Sequence, residues 1–238
     1  LYATTDIAGI RRRVQKFHAD RLIYAIDARQ SLQMKQVYGA SKKAGYTKNP
    51  VTGRDALFFH AAFGAILGDD GRPFKTRSGE SVKLQDLLDE TAARALAAVT
   101  SRSPEMPAEQ ARPIAEAVGM AALKYADLCN DRIKDYVFSF DRMLAFEGNT
   151  GPYLLYALVR IRSIFRKAAE RGIGQGWQRA AYSIHEPPEK TLALTILRYP
   201  ATVRAVAESL EPHRLCQYLY DLAGAFSSFF DACPVLQA

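Results

Sequence analysis

Cysteine is scarce in this chain, with only 3 in 238 residues and no pair in CxxC spacing. That argues against a disulfide framework and against a thiolate zinc site, and it suits a reducing compartment. Cys129, Cys216 and Cys233 therefore read as small core residues. Long apolar runs are missing too. None approaches the roughly 20 residues of a membrane span, and the first residues do not form a secretory leader, so a cytoplasmic location without membrane contact is expected. The four histidines, His18, His60, His185 and His213, lack HxxxH spacing and have no nucleophile beside them. No metal site and no hydrolase triad are expected from them. Internal repeats and low-complexity tracts are also absent.

What is present is basic and apolar. A formal charge of +7 favours anionic partners such as nucleic acid or phosphorylated ligands without demanding them. A hydrophobic content of 48% over 238 residues is ample for one large or two modest domains.

Along the first part, Ile7, Ile10, Val14 and Phe17 recur at helical spacing, with Arg11, Arg12 and Arg13 around the other side. Residues 22–26 are a short apolar run ending at Asp27, which reads as a buried strand. Ser31 stands where it can cap a second helix that stops near Gly45. Residues 57–67 form a second β-compatible run. Helix, strand, helix and strand together read as α/β.

After Ser81 helical patterns follow one another, so the second part reads as all-α. Residues 101–107 interrupt two helices, and Pro113 is expected at the start of the next, whose apolar face is marked by Ile114, Val118, Ala121 and Tyr125. Thr150-Gly151-Pro152 opens a long helix with a stripe of Leu154, Leu158, Ile161 and Phe165, closed by Gly172. Two more helices are expected, one carrying Val203, Val206 and Leu210, the other Leu215, Leu219, Leu222, Phe226 and Phe230. The pattern suggests a helical bundle.

Three constellations have chemical potential. The first is Gly71-Arg72-Pro73-Phe74-Lys75-Thr76-Arg77-Ser78-Gly79, where glycines, hydroxyls and cations alternate around one apolar anchor. Such a loop suits a polyanion, although a solvated turn has the same composition. The strand before it carries His60, with Gly64 beyond. The second is Tyr2 with Asp6, four apart and so on one helix face, where a carboxylate beside a ring suits a guanidinium. A plain helix-start aspartate fits equally well. The third is Tyr153 and Tyr156 followed by Arg160, Arg162, Arg166 and Lys167, which suits unpaired bases and phosphates or, equally, a solvated helix face.

Tyr2-Ala3-Thr4-Thr5-Asp6-Ile7, Gln30-Ser31-Leu32, residues 74–79 and Phe146-Glu147-Gly148-Asn149-Thr150-Gly151-Pro152-Tyr153 closely resemble arginyl-tRNA synthetase, a class I aminoacyl-tRNA synthetase. The resemblance runs through essentially the whole chain, in the family's order, to Ala232-Cys233-Pro234-Val235-Leu236. It implies that Tyr2, Asp6 and Gln30 bind L-arginine. It also implies that Phe74, Lys75, Thr76, Arg77 and Ser78 form a degenerate KMSKS loop binding ATP with its Mg²⁺, with Lys75 and Arg77 as the catalytic cations. His60 and Gly64 are assigned to the same nucleotide site, and Tyr153, Tyr156 and Arg160 to the anticodon loop of tRNA(Arg). Residues 1–140 are then the second half of a Rossmann-type catalytic domain with connecting helices, and residues 141–238 a helical anticodon-binding domain. A monomer is expected.

The chain also departs from the family pattern. The HIGH motif is absent, Gln33 stands where a histidine is expected, and Arg77 replaces the second lysine of the loop. Both ends read as truncated, so the lone polypeptide is expected to be inactive. The rival readings are a non-catalytic paralogue that binds tRNA or arginine, and one subunit of a split synthetase.

Overall fold

The computed structural model describes residues 2–68, 70–72, 84–174, 181 and 183–236. The chain divides into two compact units, one of residues 1–66 with 132–136 and one of residues 67–131 with 137–238.

In the first unit, α1 (Tyr2–Arg11) runs into one π-helical turn, Arg12–Lys16. Ile10 and Val14 are fully buried, but Phe17, expected on the same face, is 60% exposed. The wider π turn advances less per residue, so Phe17 falls out of phase with the stripe before it. β1 (Arg21–Asp27) pairs in parallel with β2 (Leu57–Phe63), from Arg21↔Leu57 to Asp27↔Phe63. α2 (Ser31–Lys43) connects them, as parallel pairing requires. Ile10, Val14, Leu22, Val37 and Ala56 form the core shared by α1, β1 and α2, with Ile7, Tyr24 and Phe58 packed around it.

The start of α2 differs from expectation. The Asp27 carboxylate accepts the Arg29 N–H at 2.8 Å and organises a 3₁₀ turn, Ala28–Gln30, so the capping step occurs one turn early. Ser31 already lies inside the helix and donates its hydroxyl back to the Ala28 carbonyl at 2.6 Å. Gly45, at φ +72°, then ends α2 in the left-handed region that glycine tolerates.

Where the chain passes from the first unit to the second, β3 (Ile66–Leu67) pairs with β4 (Tyr136–Val137), a strand the all-α expectation overlooked. Two residues are too few to show a period-two pattern. α3 (Leu84–Arg102) packs on α4 (Ala108–Leu128) through Ala95, Val99, Ala111 and Ala115. The buried face of α4 is Ala111, Ala115, Gly119, Ala122 and Tyr125, while Ile114 is 43% exposed. Small residues let the two backbones approach, which outweighs the hydrophobicity of Ile114. α4 begins after Pro107, so Pro113 lies in its second turn rather than at its start, and Glu109 loses its usual N–H partner there.

After the short α5 (Phe140–Met143) comes α6 (Gly151–Glu170), capped by Thr150, whose Oγ1 accepts the Tyr153 N–H at 3.2 Å. Its buried positions are Gly151, Pro152 and Ala157, whereas Leu158 and Phe165, expected in the stripe, are exposed. Among the described residues three helices follow instead of two: α7 (Pro187–Leu197), α8 (Tyr199–Ser209) and α9 (His213–Ala232). α7 escaped sequence reading because Leu192, Leu194 and Ile196 alternate as in a strand. It is started by Glu189, whose carboxylate accepts the N–H groups of Glu186 and His185 at 2.8 Å each and is held below its ordinary pKa by them. The Tyr218 hydroxyl of α9 donates to the Thr195 carbonyl of α7 at 3.1 Å.

Candidate functional site

α1 does extend to residue 2, so Tyr2 and Asp6 share one face. Tyr2 is 87% exposed, whereas Asp6 is half-buried and accepts the Gln33 side-chain amide at 3.5 Å. Behind Asp6 stands Tyr24 of β1. Its phenol pKa is raised mainly by burial, with the Arg13 guanidinium opposing the shift and the Asp6 charge adding to it. Arg13 donates to the Tyr24 hydroxyl at 3.4 Å and lies 5.6 Å from the ring centre. Gly9 leaves room for this arrangement, since a Cβ there would meet Arg13 Nη1 at 2.6 Å. Asp6 is thus a half-buried carboxylate held from α2 by Gln33. Gln30 occupies the exposed cap position of α2, and Gln33, three residues on, is the one that reaches Asp6.

At the C-terminal end of β1, Arg29 grips Asp27 with Nε at 2.9 Å and Nη2 at 2.6 Å. These bonds and the Arg29 N–H hold the Asp27 carboxyl down to about 2, so it is an organiser of the turn and a poor proton acceptor.

His60 sits half-buried in the middle of β2 with Nε2 3.0 Å from the Ile26 carbonyl oxygen. Donation to that carbonyl requires the proton on Nε2, which leaves Nδ1 as an acceptor in the neutral ring. Just beyond β2, the Gly64 N–H donates to the Arg132 carbonyl at 2.7 Å, and a Cβ at Gly64 would fall 2.7 Å from the Lys134 carbonyl. The Ala65 N–H donates to Asp135 Oδ1 at 2.6 Å. Phe74, Lys75, Thr76, Arg77 and Ser78 lie outside the described residues.

On α6, Tyr153, Tyr156 and Arg160 follow one another along one face. The Tyr153 ring is anchored 5.7 Å from Tyr220 of α9, while Tyr156 is 56% exposed. Arg160 lies 3.9 Å over the Phe230 ring with Nη2 3.4 Å from Asp231. Tyr156 is therefore the open aromatic surface, and Arg160 is already partnered within the bundle. The base of α6 is joined to α4 and α9 around Tyr125. Its hydroxyl lies 2.5 Å from Asn149 Oδ1 and 2.9 Å from the Cys216 carbonyl oxygen, two acceptors that share its one proton. Burial pushes the Tyr125 phenol far above its ordinary pKa and the Cys216 thiol up to about 11. Sequence reasoning singled out neither Asp135 nor Arg132. They contact β2 across 70 residues of chain, and no local pattern reports that.

The family model described as tRNA synthetases class I (R), catalytic domain, matches residues 1–140, and the DALR anticodon binding domain model matches residues 154–238. The arginine–tRNA ligase of Saccharophagus degradans is 47% identical over 237 residues, covering 100% of this chain and 40% of its own length. The solved arginyl-tRNA synthetase of Plasmodium falciparum superposes with a TM-score of 0.80 at 29% identity, over 98% of this chain and 38% of its own. That of Thermus thermophilus does so with a TM-score of 0.70 at 30% identity, over 90% and 33%. The chain spans about 40% of the length of the curated relatives it matches. Among the described residues, no helix is long and apolar enough to cross a membrane, and no group of three or more His, Cys, Asp or Glu is placed to hold a metal ion.

Proposed function

We propose, for a chain that belongs to the class I tRNA synthetases of the R type, that the protein is an arginine–tRNA ligase, cytoplasmic and monomeric. Residues 1–140 serve as the second half of the catalytic domain with its connecting helices, and residues 141–238 as the anticodon-binding domain. The observation that carries this reading is Asp6, a half-buried carboxylate held by Gln33 beside the exposed Tyr2 ring. A planar guanidinium presents paired N–H donors to such a carboxylate and a flat face to such a ring. Gln30 completes the arginine pocket from the start of α2.

In the reaction, an arginine carboxylate oxygen attacks the α-phosphorus of ATP. The bond to the bridging oxygen breaks, and pyrophosphate leaves with the electron pair. Phe74, Thr76 and Ser78 hold the nucleotide together with His60 and Gly64, and Lys75 and Arg77 stabilise charge on the departing pyrophosphate. Mg²⁺ bound to ATP would offset part of the same charge beside Lys75 and Arg77. The arginyl group then passes to a terminal hydroxyl of tRNA(Arg), releasing AMP, while Tyr153, Tyr156 and Arg160 hold the anticodon loop. Chemistry of this kind depends on positioning and electrostatics, so no protein nucleophile is required.

The test is ATP–pyrophosphate exchange by the protein in its natural full length, with tRNA present. Exchange that depends on arginine and on no other amino acid supports the reading. Binding of arginine or tRNA without exchange would replace it with that of a non-catalytic binding protein.

A further inference from the structure

We propose that residues 132–136 clamp the exit of β2, and that Asp135 is thereby a positioning residue for nucleotide binding, acting through the Ala65 amide. The inference rests on the reading above that His60 and Gly64 belong to the ATP site.

Pairing of β2 with β1 ends at Asp27↔Phe63, and a chain leaving a sheet there carries backbone groups that need new partners. Residues 132–136 supply them. Arg132 Nη1 donates to the Ala62 carbonyl at 2.6 Å and thus reaches back to β2 itself. The Arg132 carbonyl accepts the Gly64 N–H at 2.7 Å. The Asp135 carboxylate accepts the Ala65 N–H at 2.6 Å, and the Tyr136 N–H donates to the Ala65 carbonyl at 3.2 Å. Four consecutive peptide units of the exit are held, one of them by a charged acceptor, the stronger kind of bond to a backbone N–H.

Gly64 fits the same account. A Cβ there would come within 2.7 Å of both the carbonyl carbon and oxygen of Lys134 and 2.8 Å of Asp135 Oδ1, so glycine is required for the clamp to close. Asp135 also attracts Arg29, the residue that grips Asp27 at the end of β1. The clamp lies beyond the C-terminal end of the two parallel strands, the edge at which α/β folds bind ligands. The clamp fixes the backbone at Gly64, which the reading above places at the nucleotide, and this makes Asp135 relevant to ATP through the chain that it holds.

The experiment uses the full-length protein and compares wild type with Asp135→Ala and Asp135→Asn. Hydrogen–deuterium exchange at residues 64–67 reads the clamp whatever the reaction is. Asp135→Ala is expected to accelerate exchange of the Ala65 amide about ten- to a hundredfold, and Asp135→Asn, which keeps an acceptor oxygen, about tenfold less than that. Steady-state exchange kinetics read the consequence. Asp135→Ala is expected to raise the KM for ATP about tenfold or more, with the KM for arginine and the Kd for tRNA within about twofold of wild type.

Unchanged Ala65 exchange in Asp135→Ala overturns the clamp. Equal losses for ATP, arginine and tRNA, or no loss at all, overturn the positioning role. If wild type shows no arginine-dependent exchange, the functional reading fails, and amide exchange still decides whether the clamp exists.

Discussion

Gly151 lies so close to Ala121 that a Cβ at Gly151 would sit 2.5 Å from the Ala121 carbonyl oxygen and 2.8 Å from its carbon. The first turn of α6 is thereby seated directly on the backbone of α4. Because the obstacle is backbone, a neighbouring side chain cannot swing away to make room. Gly151→Ala is expected to destabilise the helical unit by about 3 kcal/mol, at the upper end for overpacking. Urea unfolding followed by circular dichroism measures this, and a change below about 1 kcal/mol would mean that the two helices separate easily.

Asp6→Ala is expected to raise the KM for arginine about ten- to a hundredfold, the equivalent of about 1.5–3 kcal/mol for a charged hydrogen bond. tRNA affinity should hardly change. Gln33 holds Asp6 from α2, so Gln33→Ala should show the same selectivity at a smaller magnitude. Arginine titrations of the three proteins in exchange assays give the comparison, and unchanged arginine kinetics in Asp6→Ala would remove Asp6 from the pocket.

Tyr156→Ala tests the anticodon assignment more cleanly than Arg160→Ala. Tyr156 is 56% exposed, whereas Arg160 is engaged by Phe230 and Asp231, so removing it also disturbs α9. Loss of one base-stacking ring costs about 1–3 kcal/mol, which is about five- to a hundredfold in tRNA affinity. Filter binding with tRNA(Arg) against ATP binding separates the effects, since equal losses would indicate misfolding.

Asp27 sets an acid limit. Its folded-state value, about 2, lies below the ordinary 3.8 because Arg29 bonds its ionised form. A depressed carboxyl pKa favours the folded state above the unfolded value, and that contribution disappears as pH falls through the folded one. The stability difference between wild type and Asp27→Asn should therefore be constant above about pH 5 and shrink between about pH 4 and pH 2. A difference that does not vary across this window would show that Arg29 does not hold Asp27 in solution.

Burial raises the Cys216 thiol to about 11, so little thiolate exists at neutral pH. Iodoacetamide should label Cys216 at pH 8 at least about a hundredfold more slowly than an exposed cysteine with an ordinary pKa. Mass spectrometry of timed digests follows this site by site. Fast labelling would mean that α9 opens readily from α4.

Much was legible before any coordinates. Hydrophobic spacing located α1, β1, α2, β2 and the long helices, because helix and strand periods are local properties of the chain. Thr150-Gly151-Pro152 announced the start of α6, and Thr150 does cap it. The shared face of Tyr2 and Asp6 followed from four-residue spacing alone. Which face of a helix is buried was decided elsewhere. Ala111 and Ala115 displaced Ile114 from the interface because a partner backbone approaches small side chains closely, and only packing reveals that partner. Phe17 left the core because of a π turn that no residue type signals. The pairing of Ala65 with Asp135 and of Asp6 with Gln33 spans 70 and 27 residues. Composition and periodicity determined most of the helices and strands, though not β4 or α7. Contacts between distant parts of the chain, set by the mutual fit of those elements, decided which residues meet.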